Sequence, residues 1–574
     1  MTPHQRRRQD LVTISGSLEG HYDFKENDGD FLWALDGGDA RRKGQLAPTP
    51  IPIQLHYCPL ERATATTGHG EGQPVLLLHG ASAGADTFLV PNLRGGDCFV
   101  DALLREGFEP WLLDWRASKE VAETIKWLCS DQEDVEGDRI GRSDLSSIPD
   151  RIKEQFQSRK EEIFQRLNFN SAAEHDIKRA LEAISALRPG RDIGVVAHCM
   201  GGAIMAEALV RGVLDHESLS HIVLSTMGVF YEMNLHGRMK ADAHLIKRLR
   251  NDRDEREQTR RFIDPRPVED AVDPHAPLRD PWPEDIEALY EAWRIPYDEP
   301  RLRGEGIPKA ERPVFELFNR LSFMFGEPYQ EGNLAPEIHH RLQALTIERH
   351  GDRNVGEAPL GSLIEVDGAP MGEVAYDWNG VSEPLWVGRC ETGFKVGQVI
   401  FADGHKVGAI SGIATDVEGR NGPLLPGLFG AMSLDLFQHG AENLRAHIAT
   451  APKEDRPAGD AQSIISNVEN GQTHRDFERL DAVTLIGGGL NRLWHRDSID
   501  RMADWLRRSP KMRDKLRKKI FLNYGHQDLF WGRRSSRDVF PYIIEGLGPR
   551  APDPDDEPPH EVDGALKKRP VQAV

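Results

Sequence analysis

The chain has 574 residues, 72 Lys and Arg against 92 Asp and Glu, and a formal net charge of −20. That length can bury a large core and points to two domains or to one with a big insertion. The acidic balance argues against a nucleic-acid partner and offers no basic face to anionic lipid. Cys58, Cys98, Cys129, Cys199 and Cys390 are widely spaced with no CxxC pair, which speaks against a disulfide framework or a metal site and fits a reducing compartment. The three arginines near the N-terminus are followed by no apolar run. No uncharged stretch approaches the roughly 18 residues that cross a bilayer. A soluble, cytoplasmic protein with no membrane span is therefore expected.

Residues 1–50 read as a polar, glycine-rich lead-in with some strand. From Ile51 the pattern alternates, and Pro74-Val-Leu-Leu-Leu-His-Gly then reads as a strand buried on both faces that ends in a glycine loop. A helix over Phe99 to Glu106 precedes a strand at Phe108 to Arg116, in which Asp114 and Arg116 would pair to fix the strand end. Residues 119–170 are charged and read as an insertion of loops and solvated helix. Ala172 to Leu187 is amphipathic at helical spacing and leads to a strand at Ile193–Val196. Another buried strand covers Ser220 to Ser225. Strands alternating with helices in this way predict a mostly parallel, doubly wound α/β sheet.

Residues 235–312 break the pattern with dense Arg, Asp, Glu and Pro. Residues 313–349 read as helical, with Phe315, Phe318, Leu321, Phe323, Met324 and Phe325 crowded together as a cap helix or an acyl pocket lining. Residues 360–425 are β-rich, with a hairpin around Asp403-Gly404. A helix near Ser433 to His447 follows. A strand from Asp481, a helix over Ser498 to Arg507 and a last strand from Lys519 restore the sheet pattern. The Pro- and Asp-rich tail after Gly548 reads as disordered.

Chemistry concentrates at Ala197-His-Cys-Met-Gly-Gly202, a small-x-nucleophile-x-Gly turn from strand to helix with Cys199 at its tip. The small residues let strand and helix approach, and the helix N-terminus favours thiolate over thiol. A buried cysteine in an ordinary strand–helix junction is the alternative. A base is expected after the last strand, where Asn523-Tyr-Gly-His526-Gln-Asp places a histidine beyond a glycine turn. The N–H groups of Met200 and of Ala81, in the loop His79-Gly-Ala-Ser82, would form an oxyanion hole. The residue that orients His526 should follow the strand Val483–Ile486. Asn491 occupies the expected place, and Asp497 lies further on. An amide carbonyl in that role suits a thiolate–imidazolium pair, whereas a serine nucleophile would want a carboxylate, and a structural turn asparagine is the alternative reading of Asn491.

These residues resemble the α/β-hydrolase fold, and within it the hydrolase-like domains associated with bacterial GMC cholesterol-oxidase-type oxidoreductases. The likeness rests on Leu76-Leu-Leu-His-Gly, Trp111-Leu-Leu-Asp-Trp-Arg-Ala-Ser, Val196-Ala-His-Cys-Met-Gly, Arg320-Leu-Ser-Phe-Met-Phe-Gly, Gly489-Leu-Asn-Arg and Gly525-His-Gln-Asp-Leu-Phe-Trp-Gly with Val539-Phe-Pro-Tyr. It implies Cys199 as nucleophile, His526 as base, a lipid-like or sterol-linked acyl substrate and a GMC-type partner. No GxGxxG segment with strand–helix flanks lies near the N-terminus, so FAD binding is rejected and no cofactor is called for. The expected organisation is a lead-in at 1–50, core at 51–235, helical cap at 236–350, β-rich insertion at 351–475, core again at 476–548 and a tail at 549–574. The expected reaction is hydrolysis of an ester or thioester. A cysteine-dependent acyl transfer resembling that of polyester synthases, or a non-catalytic partnership with an oxidoreductase, stands as the alternative.

Overall fold

The computed structural model describes residues 49–60, 72–90, 98–129, 150–214, 218–234, 394–414, 425–450 and 475–548. It adds shorter stretches at 11–15, 25–27, 32–36, 237–238, 241, 262–263, 333–334, 343–348, 358–359, 362–374, 378 and 385–388. The aromatic run at 315–325 and the tail after 548 lie outside the described residues.

Four strands open the chain: β1 (Val12–Ser15), β2 (Lys25–Asn27), β3 (Leu32–Asp36) and β4 (Thr49–Tyr57). Next come β5 (Pro74–Leu78), β6 (Glu109–Asp114), β7 (Ile193–His198), β8 (Leu219–Ser225) and the short β9 (Phe262–Ile263). A separate group comprises β10 (Gln343–Glu348), β11 (Leu363–Val366), β12 (Ala369–Val374), β13 (Leu385–Gly388), β14 (Val399–Ala402) and β15 (His405–Ala414). Last are β16 (Met432–Ser433), β17 (Ala482–Gly488) and β18 (Leu516–Phe521).

The main sheet runs β18-β17-β8-β7-β5-β6-β4-β1-β2, with β3 pairing β4. From β18 to β6 every neighbour is parallel, and β4 joins β6 antiparallel. Side chains alternate faces along a strand. Leu76, Leu78, Val195 and Ala197 therefore enter one apolar core, and Val75, Leu77, Val196 and Val223 enter another on the opposite face. Both faces are dry, which is why these strands are apolar without alternation.

Helices close both faces: α1 (Phe99–Arg105), α2 (Lys119–Leu128), α3 (Asp150–Ser158), α4 (Lys160–Arg166), α5 (Ile177–Leu187), α6 (Met200–Arg211), α7 (Leu434–Ala446) and α8 (Asp497–Arg507). The described parts of 119–170, residues 119–129 and 150–170, are less solvated than their charge implies. Ile152, Phe156, Ile163 and Phe164 are buried in the main core, because α3 and α4 carry narrow apolar stripes that charged neighbours conceal in the sequence.

The strands β10 to β15 form a closed barrel around its own core of Leu345, Ile364, Val387, Ile400 and Ile410. Its hairpin turns at Asp403 (φ 47°) and Gly404 (φ 78°), the double left-handed pair of a two-residue turn. The barrel begins at Gln343, in a stretch whose composition reads as helical, since β10 closes it by pairing both β13 and β15. Helix α7, capped by the Ser433 hydroxyl, packs on the main core through Leu436 and Leu444. No helix among the described residues is long and apolar enough to cross a membrane.

Asp114 and Arg116 do not pair with each other. Asp114 accepts from the backbone N–H of Ala85 and lies 3.3 Å from His56 and 3.4 Å from His79. Burial pushes its carboxyl up, but those two histidines hold it well below the usual carboxylate range. Arg116 instead meets Asp176, with Nη2 at 2.6 Å and Nε at 2.9 Å, and both side chains are fully buried. Asp176 stands in a π turn, Ala172–Asp176, that opens α5. Removing one member of a buried pair strands the other charge at a cost of about 3–5 kcal/mol. Asp176→Asn is expected to lower unfolding free energy by about 3 kcal/mol in urea titration, and an unchanged midpoint would show that the pair contributes nothing.

Candidate active site

Strand β7 feeds α6 through a single residue, Cys199, whose backbone sits at φ 56° and ψ −129°. A positive φ costs a side-chain-bearing residue energy, so the surroundings must enforce it. They do so by close approach. A Cβ on Gly201 would lie 2.6 Å from the carbonyl oxygen of Leu78 and 2.7 Å from that of His79. A Cβ on Gly202 would lie 2.9 Å from the carbonyl oxygen of Met227. Glycine at both places lets α6 start against the ends of β5 and β8.

The Cys199 side chain is buried against Gly80, where an added Cβ would stand 3.1 Å from its sulfur. Three donors face that sulfur: the backbone N–H groups of Met200 and Ala81 and the indole of Trp494. The loop that carries Ala81 is pinned on several sides. His79 accepts from Trp115 Nε1 at 3.1 Å, and the Ser82 N–H donates to the Ala117 carbonyl at 2.9 Å. Ser82 also exchanges bonds with Gly430, donating its hydroxyl at 2.5 Å and accepting the Gly430 N–H at 2.9 Å. The segment Leu425–Gly430 thus buttresses the loop that carries Ala81, and Lys119, paired with Asp86 at 2.7 Å, donates to the Gly427 carbonyl.

His526 follows β18 across the Gly525 turn, which Asp528 holds by accepting the Gly525 N–H at 2.9 Å. Its ring is fully buried and packs 4.7 Å from that of His198. His198, beside the nucleophile position, donates from Nε2 to Gln527 at 3.1 Å, and its Nδ1 accepts from the Ser225 hydroxyl at 3.0 Å. Burial drives its pKa down to about 3, so it is a neutral strut.

Asn491, beyond β17, reaches His526 Nδ1 at 3.2 Å through its amide nitrogen. Its Oδ1 is occupied by the backbone N–H groups of Leu493 at 3.0 Å and Trp494 at 3.1 Å. The expectation of an amide carbonyl on the ring is therefore corrected, because the local turn claims that oxygen. Asp497 begins α8 with its side chain 56% exposed and pairs with His495 at 3.1 Å, so of the two candidates it is Asn491 that stands on the ring.

The fold thus gathers Cys199, Met200, Ala81, His526 and Asn491 at the end of the sheet where β5, β7, β17 and β18 finish. No hydrogen bond joins Cys199 to His526, and His526 Nε2 is buried without a partner. A resting thiolate–imidazolium pair is not what this arrangement favours. Burial raises the Cys199 thiol to about 11, outweighing the N–H groups of Met200, Trp494 and Ala81 that lower it. Burial, with the neighbouring His198, also holds His526 well below the usual imidazole range.

Trp494 and Tyr231 stand beside Cys199, and no motif singles them out. Both side chains are buried, their rings meet edge to face at 5.7 Å, and the Trp494 indole N–H faces the Cys199 sulfur. The only sequence signal for Trp494 is its spacing three residues after Asn491 in Asn-Arg-Leu-Trp.

Residues 75–353, just under half of the chain, match the model of the alpha/beta hydrolase family. The match includes Ala81 and the Cys199 turn, while Asn491 and His526 lie beyond it. No curated protein matches the chain. Solved structures that align with it include an open-form lipase, at 11% identity over 86% of this chain and 94% of the other, with a TM-score of 0.35. A soluble variant of monoglyceride lipase from Saccharomyces cerevisiae aligns at 11% identity over 92% and 97%, with a TM-score of 0.34. An epoxide hydrolase from Vigna radiata aligns at 13% identity over 92% and 98%, with a TM-score of 0.33. With this sheet order and this match, the chain has the α/β-hydrolase fold.

Proposed function

We propose that this hydrolase works by acyl transfer to a cysteine, with Cys199 attacking the carbonyl carbon of an ester or thioester. The observation that carries the reading is the Cys199 turn: a left-handed φ on a non-glycine residue, enforced by close packing, with the N–H groups of Ala81 and Met200 facing the sulfur. Strain of this kind persists where it positions a reacting group.

In the first half-reaction the Cys199 sulfur bonds to the carbonyl carbon and the thiol proton passes to His526. The carbonyl oxygen becomes an oxyanion held by the N–H groups of Ala81 and Met200. The bond to the alcohol or thiol then breaks, and that group leaves with the proton from His526. Water attacks the resulting thioester, giving its proton to His526, and the free acid departs as the thiol is restored. The Trp494 indole beside the sulfur and the apolar core into which Cys199 is buried suit a lipid-like acyl group. Transfer to an alcohol in place of water would make the protein an acyltransferase, and an added alcohol distinguishes the two by the ester it yields. The oxidoreductase partner suggested by sequence resemblance has no support from the family match and is not part of this reading.

Cys199→Ala should lower turnover of nitrophenyl esters by about a thousandfold or more while leaving the folded state intact by circular dichroism. A variant that keeps wild-type turnover would remove Cys199 from the mechanism. The sign of the pH dependence follows from the thiol. A pKa raised to about 11 leaves Cys199 protonated at neutral pH, with reactive thiolate growing as pH rises. Alkylation of Cys199 by iodoacetamide should accelerate about tenfold per pH unit between pH 7 and pH 10. A flat profile across that range would instead signal a preformed thiolate.

A further inference from the structure

We infer that Asn491 selects the tautomer of His526 that carries its proton on Nε2, so that the site at rest is restrained and its base is masked. The inference rests on Cys199 and His526 being nucleophile and base.

The orientation of the Asn491 amide is set by its turn. Its oxygen accepts two backbone N–H groups, from Leu493 and Trp494, and an amide nitrogen could not replace it there. The nitrogen, which only donates, is thereby aimed at His526 Nδ1 at 3.2 Å. Nδ1 must accept, so the single proton of the neutral ring resides on Nε2. That nitrogen is buried without a partner, and as an N–H it can donate but cannot take a proton from the Cys199 thiol.

Both ways out are opposed. A proton on Nδ1, in the other neutral tautomer or in the imidazolium, would face the Asn491 N–H groups. Turning the amide over would relieve that clash but leave the Leu493 and Trp494 N–H groups without their acceptor. The titratable group packed on the ring is His198, already committed to Gln527 and Ser225. Asp528, under the same turn, is bonded to the Gly525 N–H and to Asn333 at 2.7 Å. Neither offers the ring a carboxylate. Transfer of the thiol proton to Nε2 therefore waits on a rearrangement at Asn491.

An aspartate at 491 would remove the restraint with almost no change of shape. One carboxylate oxygen would keep the two backbone N–H groups, and the other would accept from Nδ1–H and leave Nε2 bare. Nitrogen-15 NMR of histidine-labelled protein, with His526→Gln for assignment, should show His526 protonated on Nε2 in the native protein. Asn491→Asp should move the proton to Nδ1 and raise iodoacetamide alkylation of Cys199 at pH 7 at least tenfold, with the alkylation midpoint shifted to lower pH. Native His526 protonated on Nδ1 would overturn the inference, and so would an Asn491→Asp protein in which tautomer and alkylation are both unchanged. Should the variant fail to fold, the native spectrum decides alone. The NMR readout needs no turnover, so absence of esterase activity would count against the acyl-transfer reading and leave the tautomer question answered.

Discussion

The turn at Cys199 is possible because two glycines let helix α6 start in van der Waals contact with backbone carbonyls of neighbouring strands. Any side chain at Gly201 would push the helix away from β5, and the left-handed backbone at Cys199 would then have nothing to hold it. The same approach brings the Met200 N–H and the Ala81 N–H close enough to the sulfur to favour its charged form. The remaining machinery is arranged around that point. Asp114 and the two histidines beside it join β4, β6 and the loop after β5, and Ser82 and Gly430 lock the loop from the other side. A buried carboxylate with well-placed partners is favourable only as a complete set, which makes this corner rigid as well as polar.

Much of this was legible in the sequence because the sheet's strands are dry on both faces. Leu76-Leu-Leu and Ile193-Gly-Val-Val cannot be half-exposed strands, and their alternation with helices left few topologies open. The turn was legible because its glycines have a geometric purpose. His526 and Asn491 were located by chain order, since each lies on the loop after a late strand. Other features were not legible. The partner of Arg116 is Asp176, 60 residues away in a π turn, and no local pattern announces it. Among the described residues the barrel's first strand, Gln343–Glu348, pairs with strands that follow it, so its composition alone gave no hint.

Residue types and the folded surroundings point in opposite directions on the ionisation of Cys199, for a physical reason. Residue types suggested a thiolate stabilised by a helix terminus and an imidazolium. The folded site is dry, and burial penalises the charged form of both groups more than a few N–H donors favour it. Nor does the oxygen of Asn491 point at the ring, since its own turn consumes it. One amide thereby ties two consequences together: the backbone around Trp494 is fixed, and His526 Nδ1 is presented with a donor.

The most direct test of the central claim is the mass of the intact protein, quenched in acid within seconds of mixing with nitrophenyl esters of graded chain length at alkaline pH. The account predicts a gain of one acyl group, mapped by proteolysis to the peptide that contains Cys199 and absent from Cys199→Ala. Acylation confined to another residue, or no adduct with any ester, would contradict it.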